Sequence, residues 1–369
     1  MGWKSGAILA RVLLALMPAL APVAAPALPA AAHADERERL VLRFQDDRIT
    51  ESSGLAVSPI HQGIIYTHND SDDEAVCYAV GLDGRTRAVF RLAGVQARDW
   101  EGMAASVDKA TGKGVLWFAD IGDNFDGAWP EIYVYKVIEP EELRDQTLRA
   151  VRYRFRYEDG PRNAEGIMVH PGTGRLYIVS KEFAGGIYQA PARLRTDRVN
   201  VLRRIASAPI MATDAAYAPD GSSFVIRTYL SATVYRDFDE PIGRVSMPHV
   251  EQAESITYTR DGRALLVGSE GKNSPLYEVP LSEELLARAA PEQDAGRAAP
   301  EGRAQEPAER SERTERRTRD GAESPASAAA PAAQEEEEDG GALGTVAALW
   351  VAVAAGAIGG IVLLARRVG

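Results

Sequence analysis

Three features that recur in register predict an all-β chain folded as a β-propeller. The first is a short apolar strand opened by a small or acidic residue, at Ser53–Pro59, Glu101–Ser106, Glu165–Pro171, Asp214–Asp220 and Glu254–Asp261. The second is a glycine-containing turn and then a β-rich run, at Ile64–Thr67, Val115–Ala119, Arg175–Val179, Phe224–Arg227 and Ala264–Val267. The third is a tyrosine on a third strand in every copy: Tyr78, Tyr135, Tyr188, Tyr235 and Tyr277. The copies follow one another at intervals of 40 to 64 residues, the length of a small antiparallel sheet with its connections.

The chain has 369 residues, formal net charge -11 and one cysteine, and its ends differ in composition from its middle. Residues 1–34 carry Lys4, an Ala/Leu-rich run broken only by Arg11, and Ala32-His33-Ala34, the pattern of a secretory signal peptide cut after Ala34. Residues 35–287 hold the propeller. Within them Leu40–Phe44 alternates as a strand does and precedes the first repeat, while the last repeat lacks a fourth strand. The N-terminal strand is therefore expected to close the last blade, which removes an exposed edge. The count is five blades, or six if the alternating run Val151–Tyr157 opens a further one. The lone Cys77 falls on a third strand and reads as a buried thiol.

Residues 288–341 contain no Leu, Ile, Val, Phe, Tyr or Trp; their 14 Asp/Glu and 8 Arg give a net charge of -6. A segment without apolar side chains cannot offset its ordering entropy, so it is expected to be a disordered linker. Ala342–Ala365 is apolar throughout and long enough to span a bilayer, and Arg366-Arg367 follow on what the positive-inside rule makes the cytoplasmic side. Residues 366–369 form the tail. The expectation is a single-pass membrane protein with its propeller on the extracytoplasmic side.

In a propeller the first strands line the central channel, and each first hairpin returns the end of the second strand to the same face. Glu51, Glu101, Glu165, Asp214 and Glu254 are thereby expected to form an acidic ring, with Glu51 standing in for the first copy. Lys181, Arg227 and Glu270, at second-strand ends, join it on the same rim. Two like charges about 6 Å apart repel by roughly 2.8 kcal/mol at an effective dielectric near 20, so such a ring needs protons, cationic side chains or a bound cation. A hard cation such as Ca²⁺ takes six to eight oxygens. The candidates for it are Asn69, Asp70, Asp120, Asp123 and Asn124, from Asn69-Asp-Ser-Asp-Asp-Glu74 and Asp120-Ile-Gly-Asp-Asn124. The first of these stretches fails as an EF-hand loop, because Ala75 stands where a glycine is required.

No H-E-x-x-H, G-x-S-x-G or phosphate-binding glycine loop occurs in the chain. His68 and His170 are the histidines considered as general bases, and Trp100 is either a channel platform or a core residue between blades. No basic aromatic patch points to nucleic acid.

The stretches Glu51-x-Ser-Gly-Leu55, Asn69-Asp-Ser71, Asp99-Trp-Glu101, Asp120-Ile-Gly-Asp-Asn124 and Glu139-Pro140 resemble exported, membrane-anchored WD40-like propeller proteins of actinobacteria. More distantly, the acid opening each first strand is similar to calcium-dependent propeller hydrolases of the gluconolactonase, paraoxonase and phytase-esterase kinds. That resemblance implies calcium at the channel mouth. Two functions follow. One is a binding module that recognises an extracellular ligand or protein partner at its acidic face, with calcium as a structural ion. The other is a calcium- or carboxylate-dependent hydrolase of a phosphoester, lactone or glycan.

Overall fold

The computed structural model describes residues 38–70, 74–125 and 127–290. The expected signal peptide, most of the linker, the apolar span and the tail lie outside the described residues. Among the described residues no helix is long and apolar enough to cross a membrane.

The described chain is five four-stranded antiparallel blades. A first strand, β1 (Arg39–Arg43), precedes blade 1, which is β2 (Ser52–Val57), β3 (Ile64–Asn69), β4 (Val76–Gly81) and β5 (Thr86–Ala93). Blade 2 is β6 (Trp100–Val107), β7 (Gly114–Asp120), β8 (Ile132–Ile138) and β9 (Gln146–Tyr157). Blade 3 is β10 (Ala164–Val169), β11 (Leu176–Ser180), β12 (Gly186–Gln189) and β13 (Asn200–Ser207). Blade 4 is β14 (Ala212–Tyr217), β15 (Phe224–Thr228), β16 (Ser231–Asp237) and β17 (Glu240–Ser246). Blade 5 is β18 (Ile256–Tyr258), β19 (Ala264–Val267) and β20 (Pro275–Pro280), completed by β1 along β20 from Arg39↔Glu278 to Arg43↔Pro275. The closing strand is where the alternation at Leu40–Phe44 places it. The inner strands neighbour one another in the cyclic order β2, β6, β10, β14, β18 and back to β2, so the ring is closed.

Val151–Tyr157 does not begin a sixth blade. It is the second half of β9, a 12-residue outer strand whose two ends leave its own blade. Its start runs parallel to β5 (Phe90↔Gln146 to Ala93↔Arg149) and its end parallel to β13 (Asn200↔Phe155 to Leu202↔Tyr157). One strand thus belts blades 1, 2 and 3 along their outer edge.

Two local features make the blades form. Each first hairpin turns on a glycine with φ between 67° and 77° (Gly63, Gly112, Gly174, Gly221, Gly262), a conformation that costs a residue with a Cβ free energy. Each interface between neighbouring blades then buries its own apolar cluster, and the five repeated tyrosines are shared out one to a cluster. Tyr188 meets Tyr157 of blade 2 edge-on at 4.8 Å, and Tyr78 packs with Leu266 and Leu276 of blade 5. Cys77 is buried, and burial pushes its thiol pKa up, so it is inert.

Past β20 a short helix, α1 (Glu283–Ala289), packs Leu285 against Gly243 of β17. Ser282 caps it by accepting from the Leu285 amide at 3.2 Å, with Glu283 and Glu284 in the first turn and Arg288 in the last. The helix crosses the expected 287/288 boundary, because a capping signal and three apolar contacts suffice for two turns on a preformed surface. Arg263, in the first hairpin of blade 5, pairs with Glu283. First hairpins and α1 therefore share one face of the disc, and the described chain ends on that face. The starts of the inner strands open on the other.

Candidate functional site

The hydrogen-bond register fixes which side chain each blade offers at the channel mouth. Where the first strand enters, the ladder to the second strand skips in blades 1 to 4, between Ser52/Gly54, Trp100/Met103, Ala164/Gly166 and Ala212/Asp214. These are β-bulges, which re-aim a side chain off the sheet. The bulged residues are Ser53, Glu101, Glu165 and Thr213. In blade 5 the equivalent residue is Glu254. It lies five positions before Thr259, whose amide closes the hairpin onto Ala264 O as His170 does onto Arg175 O and Ala218 onto Ser223 O.

The inner ring is therefore Ser53, Glu101, Glu165, Thr213 and Glu254. Two expected members stand elsewhere. Glu51 lies two residues upstream, exposed at the rim, where its amide donates to Asn69 Oδ1 at 3.2 Å. Asp214 lies one residue downstream, at the position held by Gly54, Gly102, Gly166 and Ser255 in the other blades. Its Oδ1 accepts from the Ala215 amide and its Oδ2 from the Ile256 amide, both at 2.8 Å, so it braces blade 4 to blade 5. Burial holds its pKa well above the usual carboxylate range despite those two amides.

A second ring comes from the residues that follow the second strands. The amides of Asp70, Ile121, Lys181 and Glu270 bond back to Glu51, Asp99, Asn163 and Gln252 carbonyls, and Tyr229 follows Thr228 at the same point of blade 4. Lys181 Nζ sits 2.8 Å from Glu165 and 5.3 Å from the centre of the Tyr229 ring. Arg227, wholly buried, donates from one terminal nitrogen to Ser255 O and to Gly268 O (2.8 Å), both in blade 5. Burial pulls its pKa down to about 10, which leaves it charged. The two expected cations are thus at the axis; Lys181 is paired with Glu165, and Arg227 is held through one terminal nitrogen, its Nε and other terminal nitrogen having no hydrogen-bond partner among the described residues.

Glu101 and Glu165 lie against each other as a hydrogen-bonded carboxyl pair, and burial opposes the charge of both. Burial raises Glu101 well above its ordinary pKa, with Glu165, Asp70 and Asp99 adding to it. Glu165 is pushed up by burial but drawn back by Lys181, to about 6. Glu254 is buried, and its Oε2 has no hydrogen-bond partner among the described residues. Glu270 accepts from Gln252 Nε2 at 2.8 Å, and burial together with Glu254, Asp70, Glu51 and Glu165 pushes it up to about 8.

Of the residues expected as metal ligands, one converges with other acids. Asp70, Asp99 and Glu101 each present an oxygen within 4.8 Å of the others. Two oxygens on one Ca²⁺ at about 2.4 Å are at most about 4.8 Å apart, so the three fit a single ion. Gly122 borders the group, and a Cβ there would collide with both the Asp99 and the Glu101 carboxylates. Asp120 supports the cluster from below. Its Oδ1 accepts from the Asp99 amide at 3.1 Å, with Arg98 Nε at 3.6 Å, and burial pushes its pKa to about 6. Asn69, Asp123 and Asn124 stand outside. Asn69 Oδ1 accepts from the Thr50 and Glu51 amides, and its Nδ2 donates to Arg48 O. Asp123 accepts from the Phe125, Ala128 and Trp129 amides, and Asn124 accepts from Asn163 Nδ2. Loop amides have taken these groups because chain reversals leave backbone donors that need acceptors.

The aromatic and histidine candidates are structural. Trp100 is buried between blades 1 and 2, stacked on Phe118 at 5.1 Å with the His68 ring perpendicular to it at 5.2 Å. His68 Nδ1 lies 2.8 Å from Asn69 O, and burial pulls its pKa down to about 4, so it is neutral. His170 Nδ1 accepts from the Gly172 amide in a turn. Sequence reasoning missed Asp99, Ser53 and Tyr229. Counting back six residues from Pro59 and Pro171 gives Ser53 and Glu165; the same count from Pro219 gives Thr213, which would have exposed the one-residue offset of Asp214.

No known protein-family profile matches this chain, and no curated protein matches its sequence. Among solved structures, a gluconolactonase of Xanthomonas campestris is similar at 15% identity and a TM-score of 0.39, over 65% of this chain and 91% of that one. U3-55K is similar at 10% identity and a TM-score of 0.36, over 67% and 99%. The blade topology rests on the strand pairing and not on these likenesses.

Proposed function

We propose that the chain is an extracytoplasmic, membrane-tethered propeller binding module that takes its ligand at the acidic mouth, with a divalent cation such as Ca²⁺ held by Asp70, Asp99 and Glu101. The observation that carries the cation is the convergence of these three carboxylates in a space kept open by Gly122. Binding rather than chemistry is favoured by the state of the axis. Asp214 is fixed on two amides, one terminal nitrogen of Arg227 on two carbonyls and Glu165 on Lys181, while Glu254 keeps a buried oxygen with no hydrogen-bond partner among the described residues, a group left for a ligand to engage.

The test is thermal unfolding of the full chain in EDTA and then in excess Ca²⁺. An ion at 100 times its dissociation constant adds about 2.7 kcal/mol. For a domain of this size that raises Tm by roughly 5–10 °C. Glu101→Gln is expected to abolish the shift. An unchanged Tm together with a silent calorimetric titration of Ca²⁺ would remove the ion from the site. Export is checked separately, by the mass of the mature protein, which should begin at Asp35.

One observation favours the hydrolase reading: the buried, paired carboxyls of Glu101 and Glu165, an arrangement that can supply an acid and a base side by side. Chromogenic phosphoester, lactone and glycoside substrates test it. Turnover that disappears in Glu101→Gln and Glu165→Gln would establish it.

A further inference from the structure

The mouth face carries an unusual surface. Four of the most exposed large apolar side chains lie in loops that open on it: Phe125 (77%), Phe183 (77%), Ile210 (60%) and Leu230 (84%). Tyr229 joins them beside Lys181. Phe183 and Ile210 sit in abutting loops, tied by the Ala208 amide to Gly185 O and the Met211 amide to Glu182 O. These residues come from blades 2, 3 and 4. The loops of blades 5 and 1 on the same rim instead present Glu51, Asp70, Glu254 and Glu270. The exposed apolar side chains thus belong to the loops of blades 2 to 4, around a mouth whose inner groups are mainly carboxylates, and large exposed apolar side chains gathered on one face mark a contact surface.

We propose that this face captures a peptide segment of a partner protein in which a Lys or Arg is flanked by large apolar residues: the basic side chain enters between Glu254 and Glu270 while its neighbours cover Phe183, Ile210 and Leu230. The inference rests on the binding-module reading and names the ligand class for that site. Charge complementarity selects the occupant. Glu254 keeps a carboxylate oxygen buried without a partner at the mouth; Lys181 is paired with Glu165, and Arg227 reaches Ser255 O and Gly268 O through one terminal nitrogen and makes no hydrogen bond to Glu254. An incoming ammonium or guanidinium supplies the donor that Glu254 lacks, in the partly desolvated setting where charge-assisted hydrogen bonds are strong. Glu270, crowded by Glu254, Asp70, Glu51 and Glu165, gains a counter-charge from the same group. A purely apolar ligand would leave the Glu254 oxygen without a donor. An anionic one would be repelled.

The probe is a fluorescent peptide, acetyl-Leu-Phe-Lys-Phe-Leu, titrated by anisotropy against the full chain, alongside the same peptide with norleucine in place of Lys. The Lys peptide is expected to bind at least about ten-fold more tightly, and Glu254→Gln to erase most of that difference. Phe183→Ser combined with Leu230→Ser should weaken the Lys peptide by roughly ten-fold with Tm unchanged, since both side chains are solvent-exposed. Equal binding of the two peptides, or an unaffected double variant, would overturn the proposal. So would capture of phosphatidylcholine vesicles by the wild type and not by the double variant, with no peptide binding, because the apolar side would then face a lipid surface. A Ca²⁺-dependent Tm shift without peptide binding would leave the cation in place and defeat this inference. Peptide binding in EDTA with no Ca²⁺ effect would support the peptide site and remove the cation.

Discussion

Glu270 is the residue whose ionisation should be visible in the stability of the whole domain. Its carboxyl titrates at about 8 in the folded chain against an ordinary 4.5, because burial and four neighbouring acids oppose its charge. Between those values the folded state binds the extra proton, so stability falls as pH rises. His68 runs the other way. It is neutral in the fold down to about 4 and protonated below 6.5 once unfolded, which confines its effect to acidic pH. Between pH 6.5 and 8, therefore, Tm in EDTA should decrease with pH, with Glu101 and Asp214, also raised by burial, acting in the same direction, and Glu270→Gln should reduce that slope. A Tm that rises with pH in this window would show that Glu270 is already ionised in the fold. Ca²⁺ should act in the same direction as the substitution, because an ion beside Asp70 and Glu101 favours the charged carboxylates; it should also release protons on binding, readable by calorimetry in two buffers.

At the scale of the strand, the acid-glycine pairs are the structural device. Gly102 lets the Glu165 carbonyl and the Asp214 Oδ1 approach to where a Cβ would lie 2.7 and 2.9 Å from them. One of those atoms is backbone and the other is held by the Ala215 amide, so neither can yield cheaply. Gly102→Ala should destabilise by about 1–3 kcal/mol, as overpacking does. Asp214→Ala should cost about 3 kcal/mol or more, because Arg227 would lose its nearby buried carboxylate and the Ile256 amide its acceptor. Denaturant midpoints within error of wild type would contradict both assignments. The repeats, glycine turns and tyrosines were legible in the sequence because strands, hairpins and interblade packing are set by local periodicity. The bulges were not. A bulge shifts register by one residue with no composition of its own, so Asp214 and Thr213 exchange roles unseen. Asp99 escaped for a different reason: its partners, Asp70 and the glycine that makes room for it, come from other strands.

For the molecule as a whole, the ring depends on one strand that arrives from the far end of the sequence. β1 supplies the outer edge of blade 5, and Leu42 within it and Phe44 just beyond it enter the cluster between blades 5 and 1 with Leu276 and Leu266. Arg260 reinforces the same junction from the other face by donating to Ser58 O and Pro59 O of blade 1. A closed ring gives every blade two neighbours. Loosening this junction therefore removes an interface from two blades at once and leaves an unpaired edge. Phe44→Ala should cost about 3–5 kcal/mol by cavity formation. In a domain of this size that lowers Tm by about 6–20 °C. A comparable truncation in α1, Leu285→Ala, should cost less, since that helix covers the rim of blades 4 and 5 without closing the ring. If the two variants melted together, closure by β1 would be incidental to stability. If Phe44→Ala alone split the unfolding into two transitions, blades 1 to 3, already joined along β9, would be the unit that survives when the ring opens.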